Sequence, residues 1–410
     1  MDDSRLRALV DRITGRAARS ADAAQPRGPL FGGAASTQLP PGRLDESPPS
    51  TAPPQAPEWR NPALEALVVE DFEDEQRWRV WADDLSEHGD PRGELIACAL
   101  SGLDSPELLA PLVPHLFGPL APRLGRAVKV AWSHGLVSSA TITPFIPVKV
   151  GPYRDVEGLE GDAAAVTRAL LDLGVTRMVR HLAWGPGGKF LFDVDELLDV
   201  LEAWPHVSQL RSLGFERRLA WRHVTRLAAL GRRLERLEHL RLAAVEGPPG
   251  DRVAFQVRSL DVKQPWVVAG GRWPKLQALT ISLESDVVGL VELVASPLET
   301  LKSLTVRHST ALRPGSSAAV LRTLAHSPLV DTLETLEVTG DLRAGDVEGV
   351  IDCAASLRRL ARLDLSSNFL DVASVARLQR HLPNAVFADQ RSNEDESPEL
   401  QDDDDVTAEE

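Results

Sequence analysis

Eight times between residues 179 and 365 the chain repeats one phrase, apolar-x-x-Leu-x-apolar. It occurs as Val179-x-x-Leu182-x-Trp184, Leu210-x-x-Leu213-x-Phe215, Leu237-x-x-Leu240-x-Leu242 and Val257-x-x-Leu260-x-Val262. It returns as Leu276-x-x-Leu279-x-Ile281, Leu301-x-x-Leu304-x-Val306, Leu333-x-x-Leu336-x-Val338 and Leu360-x-x-Leu363-x-Leu365. Successive phrases are 31, 27, 20, 19, 25, 32 and 27 residues apart. Side chains alternate across a strand, so each phrase predicts a short strand with one buried face and one free face. Helical patterns lie between phrases, over Asp286 to Ala295, Ser317 to His326, Asp346 to Leu357 and Asp371 to Leu382. A strand followed by a helix, repeated in parallel, predicts an α/β solenoid: a curved parallel sheet with helices on its convex side. The two shortest intervals leave little room for a helix and predict an irregular turn around Pro265 or Gly270-Gly271.

A period near 26 residues built on such phrases resembles the leucine-rich repeats. The clearest unit is Leu360-Ala361-Arg362-Leu363-Asp364-Leu365-Ser366-Ser367-Asn368-Phe369-Leu370. The resemblance implies that Asn368 bonds turn backbone groups as a rung of an internal ladder, although most other units lack this asparagine. The repeat region is assigned to residues 126–390, with Val137 to Ile142 alternating as an early strand at the joint with what precedes it.

The positions alternating with the buried ones would line the concave face, and function is expected there. The candidate partner-binding residues are His239, Arg241, Asp261, Lys263, Thr280, Thr305, Arg307, Glu337, Arg362 and Asp364. Around them stand Ser212, Gly214, Glu216, Ala243, Ser259, Ala278, Ser282, Ser303, Thr335, Thr339 and Ser366. The middle of this face is small and hydroxylated and its charges lie toward the ends, a pattern suited to a bulky partner held in register by polar contacts.

Ahead of the repeats, residues 58–125 read as a small helical domain. Asn61-Pro62 opens one helix, the asparagine capping and the proline filling the first turn. A second helix is predicted from about Glu73 to His88, with Trp78, Trp81 and Leu85 on one face, and Gly89 ends it. Asp90-Pro91 caps a third, Arg92 to about Leu100. The run from Arg79 to Ile96, with Trp81, Asp83, Leu85, Gly89, Asp90, Pro91 and Gly93, resembles the repeat-companion domain of myxobacteria and planctomycetes. The likeness extends over about residues 60–142, through Gly118-Pro119-Leu120-Ala121-Pro122 and Trp132-Ser133-His134-Gly135-Leu136-Val137. It departs at Asp84, where the family has tryptophan, and at Ala97-Cys98-Ala99, where the family's last helix ends in polar residues. The resemblance implies a neighbouring leucine-rich repeat and no enzymatic activity.

The flanks differ in kind. Residues 1–19 place Leu6, Leu9, Val10 and Ile13 at helical spacing. Residues 20–57 are rich in Pro, Ala, Gly and Ser and predict a disordered linker. Residues 391–410 carry ten acids and one arginine, so −9 of the formal −15 belongs to this predicted disordered tail and the other 390 residues total only −6. A nearly neutral body disfavours nucleic acid, whose phosphates call for a cationic field. The amino-terminal twenty residues lack an apolar signal core, and no run of eighteen apolar residues occurs, so the expectation is a cytoplasmic protein without membrane spans. Cys98 and Cys353 sit in apolar helical patterns and have no partners at metal-ligand spacing, which predicts buried thiols and neither metal nor cofactor.

The densest ionisable cluster, Asp83, Asp84, Glu87, His88 and Asp90, raises the alternative of a metal-dependent or acid–base hydrolase. Helix capping and a solvated helix face account for the same residues. Gly185-Pro186-Gly187-Gly188-Lys189 lacks the spacing and the following Ser/Thr of a phosphate loop. The sequence thus favours a non-enzymatic scaffold for an unknown protein partner, with oligomeric state unspecified and a partnerless structural module as a further alternative.

Overall fold

A computed structural model describes residues 58–102, 113–125, 127–143, 163–185, 193–247, 253–283, 293–308 and 316–391. The segment expected to form a helix over 1–19, the linker 20–57 and nearly all of the acidic tail lie outside these residues. So do most of the helix expected over 286–295 and the Gly185–Lys189 turn beyond its first residue. The chain divides into two compact units, Met1–Leu210 and Arg211–Glu410.

The first unit opens with three helices, α1 (Pro62–Glu70), α2 (Glu75–Glu87) and α3 (Pro91–Leu100). Each start is specified locally, because the side chains of Asn61, Asp74 and Asp90 accept from the backbone N–H of Leu64, Gln76 and Arg92. The cap Asp74 sets the start of α2 two residues later than the periodicity alone suggests. Trp78, Trp81 and Leu85 are fully buried, each side chain contributing about 1.5–3 kcal/mol or more by leaving water. The chain continues through α4 (Val113–Phe117), β1 (Val128–Ser133), β2 (Leu136–Ile142), α5 (Ala163–Leu171), β3 (His181–Trp184) and α6 (Val194–Ala203). The strand expected over Val137–Ile142 is β2. It pairs antiparallel with β1, a hairpin partner the repeat pattern did not reveal, and parallel with β3, α5 forming the crossover.

The hairpin turn docks on the helices. His134 and Gly135 both adopt positive φ, 51° and 73°, as a tight two-residue hairpin turn requires. A Cβ at Gly135 would come within 2.5 Å of the Leu95 carbonyl, so only glycine lets the turn lie against α3. The His134 ring stacks on Trp78 at 4.6 Å, with Phe72 edge-on to both.

The second unit contains β4 (Ser212–Ala220), α7 (Trp221–Leu230), β5 (His239–Glu246), β6 (Val253–Ala254), β7 (Ser259–Val262), α8 (Trp266–Ala269), β8 (Gly271–Arg272) and β9 (Ala278–Leu283). These are followed by β10 (Ser303–His308), α9 (Ser316–Ala325), β11 (Thr335–Thr339), α10 (Val347–Ile351), α11 (Ala354–Leu357), β12 (Arg362–Asp364), α12 (Val372–His381) and β13 (Ala385–Val386). Within this unit the strands run β4-β5-β7-β9-β10-β11-β12-β13, each parallel to its neighbour. The fold is α/β with a mostly parallel sheet. All twenty-four apolar positions of the eight phrases are buried, Leu237 at 6% exposure being the most accessible.

Two expectations change. The short intervals are not filled by irregular turns. They hold the one-turn helix α8 and a separate parallel pair, β6 with β8, which puts Val253 opposite Gly271. The helix expected over Asp346–Leu357 is broken at Asp352-Cys353 into α10 and α11 after a 3-10 turn. Cys98 and Cys353 are buried free thiols, as their patterns suggested, and burial raises both above the usual thiol pKa.

Candidate functional site

Parallel pairing carries a side chain on one strand into line with its counterparts on the next. One row runs Ser212, His239, Ser259, Ala278, Ser303, Thr335, Arg362. The next runs Gly214, Arg241, Asp261, Thr280, Thr305, Glu337, Asp364. The alternate residues are buried, and apart from Gly214 these remain half-buried or exposed, so one face of the sheet stays accessible. The third expected row is in register only as Ser282, Arg307 and Thr339. In β4 a bulge after Phe215 displaces Glu216 from that row, and β7 ends before Lys263.

Two of the three arginines on this face are held by its own acids. Arg241 bonds Glu216 at 2.8 Å and Asp261 at 3.1 Å, joining three strands. Arg362 reaches Asp364 at 2.6 Å, and Thr305 donates to Glu337 at 3.3 Å. Burial alone would raise the Asp364 carboxyl, but Arg362 and the Ser366 N–H outweigh it and hold the group below the usual carboxylate range. At these exposures solvent screening leaves each pair little to contribute to stability. The pairs fix side-chain positions more than they stabilise the fold. Among the described residues Arg307 is exposed and has no ion-pair partner, and His239 lies 4.0 Å from Glu238. The arginines at 241 and 362 are therefore partly occupied, where the sequence suggested that they were free to set register. Four acids (Glu216, Asp261, Glu337, Asp364) face four bases (Arg241, Lys263, Arg307, Arg362), which leaves the face neutral. Between them Ser259, Ala278, Thr280, Ser282, Ser303 and Thr305 form a small, hydroxyl-rich centre.

At the carboxy-terminal end of this unit, polar side chains close the turns after the strands. Asn368 is fully buried; its Nδ2 donates to the carbonyls of Val338, Leu365 and Ser366, and its Oδ1 accepts from Leu342 N. Asp341 holds the corresponding place one repeat earlier and accepts from Ser316 N and Ser317 N. Gln390 holds it one repeat later, donating to Leu365 O and Ala388 O and accepting from Leu370 N. The ladder expected at Asn368 thus has three rungs. The 27-residue spacing from Asn368 back to Asp341 was the signal that could have revealed the middle one.

In the first unit the residues of the Asp83–Asp90 cluster turn to different tasks. His88 caps α2, stacks on Trp59 at 3.5 Å and bonds Asp84 O through Nδ1. Asp84 accepts from Trp59 Nε1, while Asp83 and Glu87 are exposed. Asp90 is 2% exposed and takes Arg92 through both carboxylate oxygens, at 3.0 and 2.6 Å. Arg92, itself 3% exposed, also donates to Trp59 O and Gly174 O and pairs with Glu58. Glu58 and Glu65 in turn hold the buried Arg177, whose guanidinium is lowered first by burial and then by Arg92. Gly93 completes the motif, because a Cβ there would lie 2.4–2.7 Å from Ser86 and the Ala82 carbonyl of α2. Within the run Gly89-Asp90-Pro91-Arg92-Gly93, Asp90 and Arg92 form a buried ionic joint. No group of three or more His, Cys, Asp or Glu placed to hold a metal occurs among the described residues. No helix among them is long and apolar enough to cross a membrane.

No known protein family matches the chain, and no curated protein does. Among solved structures, the chain is similar to the crystal structure of a Bacteroides fragilis protein at 15% identity and a TM-score of 0.43, over 54% of this chain and 69% of that one.

Proposed function

We propose that the second unit is a leucine-rich-repeat solenoid acting as a non-catalytic scaffold, and that it binds a partner protein on the accessible face of its sheet. The observation that carries this reading is the pair of registered rows, in which seven parallel strands present a small, hydroxyl-rich centre flanked by charged side chains over a buried apolar set. Short side chains let a partner approach the strands closely, and hydroxyls serve as donor or acceptor according to what is offered. Because Arg241 and Arg362 are paired within the face and Arg307 is left over, recognition rests mainly on shape and hydrogen bonding, and association is expected to depend weakly on salt. A neutral face also fits poorly with nucleic acid.

A photo-crosslinking residue at Ser282 in the intact cell tests this. The expected result is one dominant crosslinked protein, lost when Thr280→Arg and Thr305→Arg fill the centre of the face while the thermal transition stays unchanged. Capture that persists in this folded double variant sinks the proposal.

A further inference from the structure

Helix α1 is apolar on its wrong side. Its inward residues, led by Val68, are buried, yet the outward stripe Ala63, Ala66 and Leu67 is exposed, and Leu67 keeps 46% of its surface. An amphipathic surface helix carries polar residues there. On α2, Val80 is likewise 45% exposed. Arg77, one turn before Val80 on α2, reaches across to the Leu67 carbonyl at 2.7 Å and so ties the two helices together beside Leu67. Residues 58–90 contain eleven acids and three arginines. Glu58, Glu65 and Asp90 are bound by Arg92 and Arg177, and Glu70, Glu73, Asp74 and Glu75 by Arg77, Arg79 and Arg180, but Asp71, Asp83 and Glu87 are exposed and have no arginine partner among the described residues.

The chain contains a segment of opposite character. Residues 4–19 place Leu6, Leu9, Val10 and Ile13 at helical spacing and surround them with five arginines and one aspartate. The intervening residues, 20–57, are rich in Pro, Gly, Ala and Ser. By composition, a Gly-rich chain of 38 residues reaches about 35 Å root-mean-square and a Pro-rich one further, more than twice the length of α1 at ~1.5 Å per residue.

We propose that residues 4–19 dock on the exposed α1 stripe of the same chain, their apolar side against Ala66, Leu67 and Val80 and their arginines over the surrounding acids. The tether makes the contact intramolecular, so a weak pairing suffices to hold it. Docked, the segment covers the apolar strip. Displaced, it leaves both apolar faces open to another molecule.

The test places a photo-crosslinking residue at Leu9 in the full-length protein. Docking predicts crosslinks to residues 62–80 in a product of monomeric mass, with a yield that falls as salt rises. Leu67→Asp with Val80→Asp should cut that yield about tenfold, the factor expected for a loss of ~1.4 kcal/mol. Both side chains are exposed, so the fold should hold. Arg5→Glu, Arg12→Glu and Arg16→Glu, made in the segment itself, should produce a similar loss. Crosslinks elsewhere, a yield insensitive to both sets of substitutions, or a product only of dimeric mass would overturn the proposal. So would flotation of the protein with phosphatidylglycerol vesicles in the absence of the crosslink, an outcome that assigns the segment to a lipid surface.

Discussion

Within the second unit, the middle and the carboxy-terminal end solve one problem with different chemistry. Every strand must be followed by a turn that carries the chain away and leaves no buried backbone group unpaired. At the end, the ladder of Asp341, Asn368 and Gln390 does this with buried side-chain hydrogen bonds. Between β5 and β9 the intervals are too short for a full helix, and aromatic rings take over. Phe255 stacks on Trp273 at 5.3 Å, Trp273 Nε1 donates to Val268 O at 2.9 Å, and Trp221 packs on Trp266 at 5.8 Å. A single side-chain amide contributes, Gln264 accepting from Val245 N. A repeat can thus lose its polar rung where apolar volume replaces it, because filling the space excludes the water that would otherwise compete for the backbone.

The sharpest way to break this contrast is Trp273→Ala. Trp273 is 5% exposed, so its removal leaves a large cavity and should cost about 3–5 kcal/mol. For a unit of this size that corresponds to a fall in Tm of roughly 6–20 °C. Trp273→Phe keeps a stacked ring, loses the indole donor and part of the ring volume, and should cost less than Trp273→Ala. If the two variants behave alike in thermal unfolding, the hydrogen bond and not the packing holds the middle turns.

Asn368→Ala examines the other end. It unpairs Leu342 N and removes a donor from the Val338 and Leu365 carbonyls, all in a fully buried place. Unsatisfied buried groups cost ~1–3 kcal/mol each, and some relaxation is available next to β13, so a loss of about 3 kcal/mol is expected. Hydrogen exchange should quicken at Leu342 and Phe369 and stay unchanged at Phe255. Uniform quickening throughout the unit would show that the two regions are not energetically distinct.

These differences mark where the sequence could be read. Strand burial follows from local alternation, and Leu182, Leu240 or Leu304 are placed by their immediate neighbours alone. Caps are local as well, which is why Asn61 and Asp90 were legible. What depends on distant register was not. Arg241 meets Glu216 and Asp261 only once three strands are aligned, 25 and 20 positions away along the chain. Arg92 finds the Gly174 carbonyl 82 residues on. Asp341 was hidden because a carboxylate takes an asparagine's place and changes the bonding: it accepts two N–H groups and donates nothing.

The smallest effect expected comes from acid, and it too should separate the two regions. His308, at the end of β10, is buried, and neither ring nitrogen has a partner among the described residues. Burial pushes its pKa below the ordinary 6.5, and the nearby Asp341 carboxylate only partly opposes this. The folded state therefore keeps His308 neutral at a pH where the unfolded chain has begun to bind a proton. The stability this protects is complete above about pH 6.5 and is lost as the pH falls from there toward the folded-state pKa. The middle turns hold no such group between Phe255 and Trp273, so acid should loosen the laddered end first. Exchange at Ser316 and Ser317, corrected for its intrinsic pH dependence, should accelerate between pH 7 and 5 while exchange around β6 and β8 does not. His308→Phe should make that acceleration shallower. An unchanged slope in the variant would move the acid sensitivity to another group and remove His308 from the account of the laddered end.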